Sequence, residues 1–273
     1  MDFIGEIFQY RFLGYAFLAS LLSGITCGIV GAYIVSRRLV FMSGGITHAS
    51  FGGIGIAYYL GLNPIGGALA FSLLTAAAME FISGRGKMRE DSAIGILWSV
   101  GMALGIVFIF LTPGYAPNMM SFLFGNILTV TGGAVLSLAI LAAGLLLLMG
   151  LAYRPILYVA FDRDYSKSQK MPVKVISYLM AMVVAVTIVL SIRAVGIILL
   201  ISLLTFPAVI AGMATKSYGR ITLWAIIIGM LGNVAGLWIS YRMDLPASAV
   251  TIFVLTGVLI VVKLLTLRSK KQG

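Results

Sequence analysis

Apolar residues in this chain do not alternate with polar ones; they run in long blocks separated by short polar or basic connections. Nine blocks stand out, at about 12–36, 40–61, 65–83, 92–112, 132–153, 173–192, 194–214, 221–240 and 246–266. Most approach the roughly 20 residues an α-helix needs to cross bilayer hydrocarbon. Helices and closed barrels are the structures that satisfy every backbone hydrogen bond there. The pattern predicts an all-α, polytopic membrane bundle of about 8–9 transmembrane helices. The first block is too long for a signal-peptide core and ends in Ser36-Arg37-Arg38 without a small-residue cleavage pattern, which predicts a retained helix. Blocks 173–192 and 194–214 are divided only by Arg193, and joining them would reverse every later connection.

Composition sharpens this picture. With 61% hydrophobic and 10% charged residues in 273, a water-soluble fold is excluded. The polar stretches are too short to enclose a second core, so residues 1–273 read as one transmembrane domain. The net charge of +11 lies in short clusters between apolar blocks, without the basic stripe that would suggest nucleic acid. Placing the N-terminus outside puts all but Arg11, Arg193 and Arg242 of the 19 Lys and Arg residues on the cytoplasmic side, with the C-terminus. That asymmetry is the one the positive-inside rule produces. The single cysteine, Cys27, allows neither a disulfide within the chain nor a Cys cluster. Gly84-Arg85-Gly86-Lys87-Met88 lacks the spacing and hydroxyl of a phosphate-binding loop, so the chain is not predicted to hold ATP in that manner.

Glycine pairs at helical spacing, Gly24/Gly28, Gly101/Gly105 and Gly232/Gly236, predict close backbone approach between helices. Two connections are unusual. The outside stretch 112–131 contains Pro113, Gly114 and Pro117 before the semi-apolar run Ser121 to Leu128; it is expected to lie against the bundle or enter it as a partial helix. The inside stretch 153–172 mixes Ile156, Leu157, Tyr158, Val159 and Phe161 with Asp162, Arg163, Asp164, Lys167 and Lys170, which suits one side to a protein partner and the other to water.

Few residues offer chemistry. His48, the only histidine, falls near the middle of its span, where an ionisable group faces a bundle interior or a water-filled path by default. Gly44 and Gly52 lie four residues to either side, with Gly45, Gly53 and Gly55 nearby, so the ring stands beside a groove. Two readings stay open: a ligand on an ion path, or a histidine bonded to a carbonyl for packing. One His and one Cys cannot form a closed four-ligand site, whereas a transient site on a path needs few ligands. Glu80, in an otherwise nearly uncharged stretch, and Asp91 are further path candidates. Glu90 suits the capping of a helix start. Asn126 and Asn233 suit bonds across helices, and the 14 methionines receive no site.

These residues carry a resemblance. The segment Arg37 to Gly53, containing Ser43-Gly44-Gly45-Ile46-Thr47-His48-Ala49, resembles the second-helix signature of integral-membrane permeases of bacterial ABC importers for divalent transition metals, the zinc, manganese and iron class. Asp91-Ser92-Ala93-Ile94-Gly95 and Leu123-Phe124-Gly125-Asn126-Ile127-Leu128 are similar to two further motifs of that family, in the same order. So are Ala160-Phe161-Asp162, Gly196-Ile197-Ile198-Leu199-Leu200 and Leu204-Thr205-Phe206-Pro207-Ala208. The signature's acidic position is Gly44 here, and Ser248 replaces the glycine usual after the last proline.

The resemblance implies a non-enzymatic permease in the bacterial cytoplasmic membrane. Its expected partners are a second copy of itself, a cytoplasmic ABC ATPase, an extracytoplasmic metal-binding protein and membrane lipid. No permanent cofactor is implied; the divalent ion is cargo. His48, Asp91 and Glu80 would mark the path, and Gly44, Gly45, Gly52 and Gly53 its wall or a packing surface. Segment 153–172, with Phe161, Asp162, Arg163 and Asp164, would couple to the ATPase. Alternatives are a permease for a metal chelate or cobalamin-like cargo, and an ion-gradient-driven secondary transporter, against which the shortage of buried carboxylates counts.

Overall fold

A computed structural model describes residues 3–85, 89–113, 125 and 127–271. All regular structure among them is helical: α1 (Phe3–Gln9), α2 (Arg11–Ser36), α3 (Val40–Tyr59), α4 (Pro64–Arg85), α5 (Glu90–Leu111), a 3-10 turn (Ile127–Thr129), α6 (Gly132–Phe161), α7 (Arg163–Ser168), α8 (Val173–Ala214), α9 (Tyr218–Met243) and α10 (Ala247–Lys271). Seven of these, α2, α4, α5, α6, α8, α9 and α10, are long and apolar enough to cross a membrane. The all-α membrane bundle therefore holds. Helix α3 is as long as a span but carries Ser, Thr, His and five glycines among its apolar residues, and it falls outside the seven.

The expected connection at Arg193 is corrected. Residues 173–214 form one 42-residue helix in which Gly196, not Arg193, leaves helical geometry, at φ 76° and ψ 166°. A helix of that length would run to about 63 Å, roughly twice the hydrocarbon thickness. The break leaves two pieces near spanning length. Glycine makes it possible, because that corner of backbone space is closed to residues with a Cβ. A polar residue marked the wrong position; the backbone constraint marks the right one.

Helix α6 is also interrupted, at Ala152 (φ −115°, ψ 17°). Pro155 follows within the first turn of the new helical piece, where its missing N–H leaves nothing unsatisfied. The membrane-spanning part thus ends near Leu151, and 153–161 forms a separate short helix.

The chain divides into two compact units. The first takes the described residues of 1–35, 120–151 and 190–273. Within it α2 meets α9 backbone to backbone: a Cβ built at Gly24 would lie 2.6 Å from Met230 N, and one at Gly28 2.7 Å from Ile226 Cα. Gly31 is pressed against Leu204 in the same way. Asn233 bonds across helices, its Nδ2 donating to Ser20 O and Ser23 Oγ at 3.1 Å each. Gly232 and Gly236 admit Leu255 and Thr251 of α10. Helix α2 is the buried axis of this unit, 72% of its span against 17% for α10, whose Phe253 faces outward. Of the outer stretch, Gly125 and the 3-10 turn are described; Gly125 (φ 63°) abuts the backbone at Val195 and Gly196. Residues 114–124 and Asn126 lie outside the described residues.

The second unit takes the described residues of 36–119 and 152–189. Here α3 is the axis. Gly52 sits against Gly101 O and Gly55 against Gly105 of α5, while Gly53 meets Gly67 of α4. The hydroxyls of Ser43, Thr47 and Ser50 donate to carbonyls of their own helix at 2.6–2.7 Å, so these three are satisfied without partners elsewhere. Lipid provides no hydrophobic drive between helices, and close contact of this kind is what holds them.

Replacing Gly196 with Ala is expected to destabilise the chain by about 1–3 kcal/mol, read as a lowered unfolding temperature in detergent. Gly257→Ala, where nothing lies within 4 Å of the added methyl, should leave that temperature unchanged.

Candidate functional site

Two places in the second unit hold the residues singled out above. The first is at His48. The ring is partly exposed, and its Nδ1 is buried without a hydrogen-bond partner among the described residues. Trp98 of α5 covers one face of the imidazole, with ring centroids 4.2 Å apart and planes 7° from parallel. Trp98 also fills the space over Gly44, 3.5 Å from where a Cβ would be, and its indole N–H donates to Met102 Sδ at 3.3 Å. The indole is held at both ends and in turn fixes the imidazole plane.

A Cβ at Gly45 would lie 2.7 Å from the Ile94 side chain and 3.0 Å from that of Met79, and one at Gly52 would lie 3.1 Å from the Phe71 ring. These glycines, with Gly53, therefore lie in contact surfaces between α3, α4 and α5. Asp91 is exposed in the first turn of α5. Among the described residues no group of three His, Cys, Asp or Glu side chains comes together to hold a metal ion.

Sequence reasoning did not single out Trp98 or Met102. A signal existed: 94, 98, 101 and 105 fall on one stripe of α5, and two of them are the glycines that seat it on α3.

The second place is the segment 153–168. Ile156 and Val159 are buried, while Tyr158, Phe161 and Tyr165 remain 39–62% exposed, a surface patch of aromatic rings. Asp162 caps α7: its Oδ1 accepts from the N–H groups of Asp164 and Tyr165 at 3.1 and 2.8 Å. Asp164 pairs with Lys167 at 2.8 Å. That ammonium holds the Asp164 carboxyl below its ordinary 3.8. The carboxylate therefore stays charged as pH falls to the usual carboxylate range, and the pairing is lost only as pH falls through the depressed value.

Two cross-links fasten this segment. Arg37 donates to Val159 O at 3.0 Å, capping the end of the short helix with a cation. Arg163 pairs with Glu80 of α4 at 2.8 Å and donates to Ser177 Oγ at 3.2 Å. The structure thus joins two residues that the sequence placed in different roles. Glu80, a path candidate, is only 12% exposed and is neutralised by Arg163, a coupling candidate.

Comparison with known proteins defines the class. The fold closely resembles that of a chain in the PsaBC complex of Streptococcus pneumoniae solved with a Fab, at a TM-score of 0.85 and 29% identity over 95% of this chain and 94% of that one. An uncharacterized membrane protein of Synechocystis is 39% identical over 91% of this chain and 89% of its own length. The manganese transport system membrane protein MntC of Halalkalibacterium halodurans is 32% identical over 92% and 86%. Residues 9–266 match the ABC 3 transport family, and the chain belongs to that family.

Glu80→Ala leaves Arg163 without its counter-charge. The expected loss is about 1–3 kcal/mol, below that of a fully buried pair because a third of the Arg163 side chain is exposed. Trypsin cleavage after the exposed Lys167 and Lys170 should accelerate about tenfold in open membranes. Glu80→Asp should recover part of the protection.

Proposed function

We propose that this chain is the membrane permease of an ATP-driven importer of divalent transition metal ions, with manganese first among zinc, manganese and iron. The observation that carries the reading is the lone imidazole within a membrane helix, unpartnered at Nδ1 and plated by Trp98, in a chain of the ABC 3 transport family. The relatives' names support manganese: the proteins from Halalkalibacterium halodurans and Listeria monocytogenes are both described as manganese transport system membrane proteins.

In this reading residues 1–273 act as one permease, N-terminus outside and C-terminus in the cytoplasm of a bacterial cell, working beside a second copy. An external binding protein delivers the ion. The ion passes His48, which offers one exchangeable nitrogen. Asp91, exposed at the start of α5, offers negative charge at the inner end. Gly44 lies under Trp98 at the edge of the path; Gly45, Gly52 and Gly53 hold its walls together.

Segment 153–172 receives the ATPase through Tyr158, Phe161 and Tyr165, with Asp162 shaping the turn and Asp164 remaining charged beside them. Arg163 carries that motion to Glu80 and so to α4. ATP hydrolysis belongs to the partner subunit. Neighbouring helices fill the glycine positions around His48, which favours a bare or partly hydrated ion over a chelate.

Proteoliposomes holding this chain with its ATPase and binding protein are expected to accumulate Mn2+ only when ATP is supplied. His48→Ala should reduce uptake at least about tenfold while the complex still assembles. Full uptake by that variant would remove His48 from the path, and uptake without any ATPase would turn the reading to a gradient-driven carrier.

A further inference from the structure

One end of the first unit carries a basic cavity. It is an open pocket of about 610 Å3 between the α8–α9 connection and α10, and Lys216, Arg220 and Lys263 line it beside Thr215 and Thr266. No lining residue is acidic. Among the described residues the ion pairs are Arg163–Glu80 and Lys167–Asp164, so none of these three cations has a carboxylate partner there. Gathering like charges around one space is unfavourable, and an anion placed among them removes the repulsion.

The surroundings say what kind of anion. Leu223 and Trp224 on α9, and Val261, Leu264, Leu265 and Leu267 on α10, are large, apolar and exposed. Trp224 comes one turn after Arg220, the relation of an interfacial aromatic to a headgroup-level cation. A ligand satisfying both features presents a phosphate to the cations and hydrocarbon to the helix faces. A free phosphate has no use for the second feature, and a soluble acidic protein surface would leave it bare.

We propose that this cavity binds the headgroup of an anionic phospholipid, its phosphate among Lys216, Arg220 and Lys263 and its acyl chains along the exposed faces of α9 and α10. Basic pockets at the ends of transmembrane helices are suited to such headgroups. Cargo and motor do not enter; the site requires only that the chain span a membrane.

The full chain, alone and assembled with its ATPase, is titrated in neutral detergent with phosphatidylglycerol or phosphatidylcholine, and bound lipid is counted by native mass spectrometry. Phosphatidylglycerol should be retained about tenfold more strongly, and each of Lys216→Gln, Arg220→Gln and Lys263→Gln should weaken it about fivefold. The triple variant should lose it by on the order of a hundredfold, while Lys174→Gln in the other unit leaves it unchanged. If the triple variant fails to fold, the three single variants decide. Equal retention of the two lipids, or single variants that bind like the wild type, would overturn the site. Inorganic phosphate bound as tightly as the lipid would make it a free-anion site. Release of the lipid when the ATPase assembles would assign the cations to that partner.

Discussion

Helices in hydrocarbon gain nothing from hiding apolar surface, because the lipid is as apolar as they are. What remains is contact, and in this chain contact is made by glycine. In one unit α2 touches α9 through Gly24 and Gly28; in the other α3 touches α5 through Gly52 and Gly55, facing Gly101 and Gly105. At most of these positions a single methyl would fall within 3 Å of a neighbouring backbone atom. The placement of His48 depends on this. Its helix is held against α5 closely enough for Trp98 to lie flat on the imidazole, and the glycine contacts set that distance.

A second constraint is helix length. A continuous helix of 42 residues, or one of 30, overshoots the bilayer, and the chain interrupts each at a residue that tolerates it: Gly196 in α8 and Ala152 in α6. The latter interruption turns the end of a span into a short separate helix. Arg37 and Arg163 then fasten this segment to its neighbours within the second unit, through a carbonyl and a carboxylate. The exposed aromatic patch on it is therefore mounted on a braced support.

Charge is used sparingly. The described ion pairs are two, both involving the segment 153–168, and many of the remaining basic residues lie in short clusters between or at the ends of long helices. Clustering of this kind orients a chain in the membrane, and at Lys216, Arg220 and Lys263 it also lines an open pocket. The same residues that set topology can thereby hold a lipid, since both depend on positive charge at the headgroup level.

Much of the architecture was legible in the chain itself. Block length gave the membrane class and most of the long helices, because the bilayer asks a similar length of every crossing; paired glycines gave several of the helix contacts, because a residue without a Cβ lets backbones approach; and His48 stood out as the one histidine in an apolar block. Other features required three dimensions. That Gly196 and not Arg193 breaks α8 depends on a backbone angle, which composition does not encode. That Trp98 plates His48, and that Glu80 answers Arg163 from a residue 83 positions away, depends on which helix faces meet. Long-range pairing follows from packing, and lipid leaves that to contact geometry, with no hydrophobic pattern along the chain to announce it.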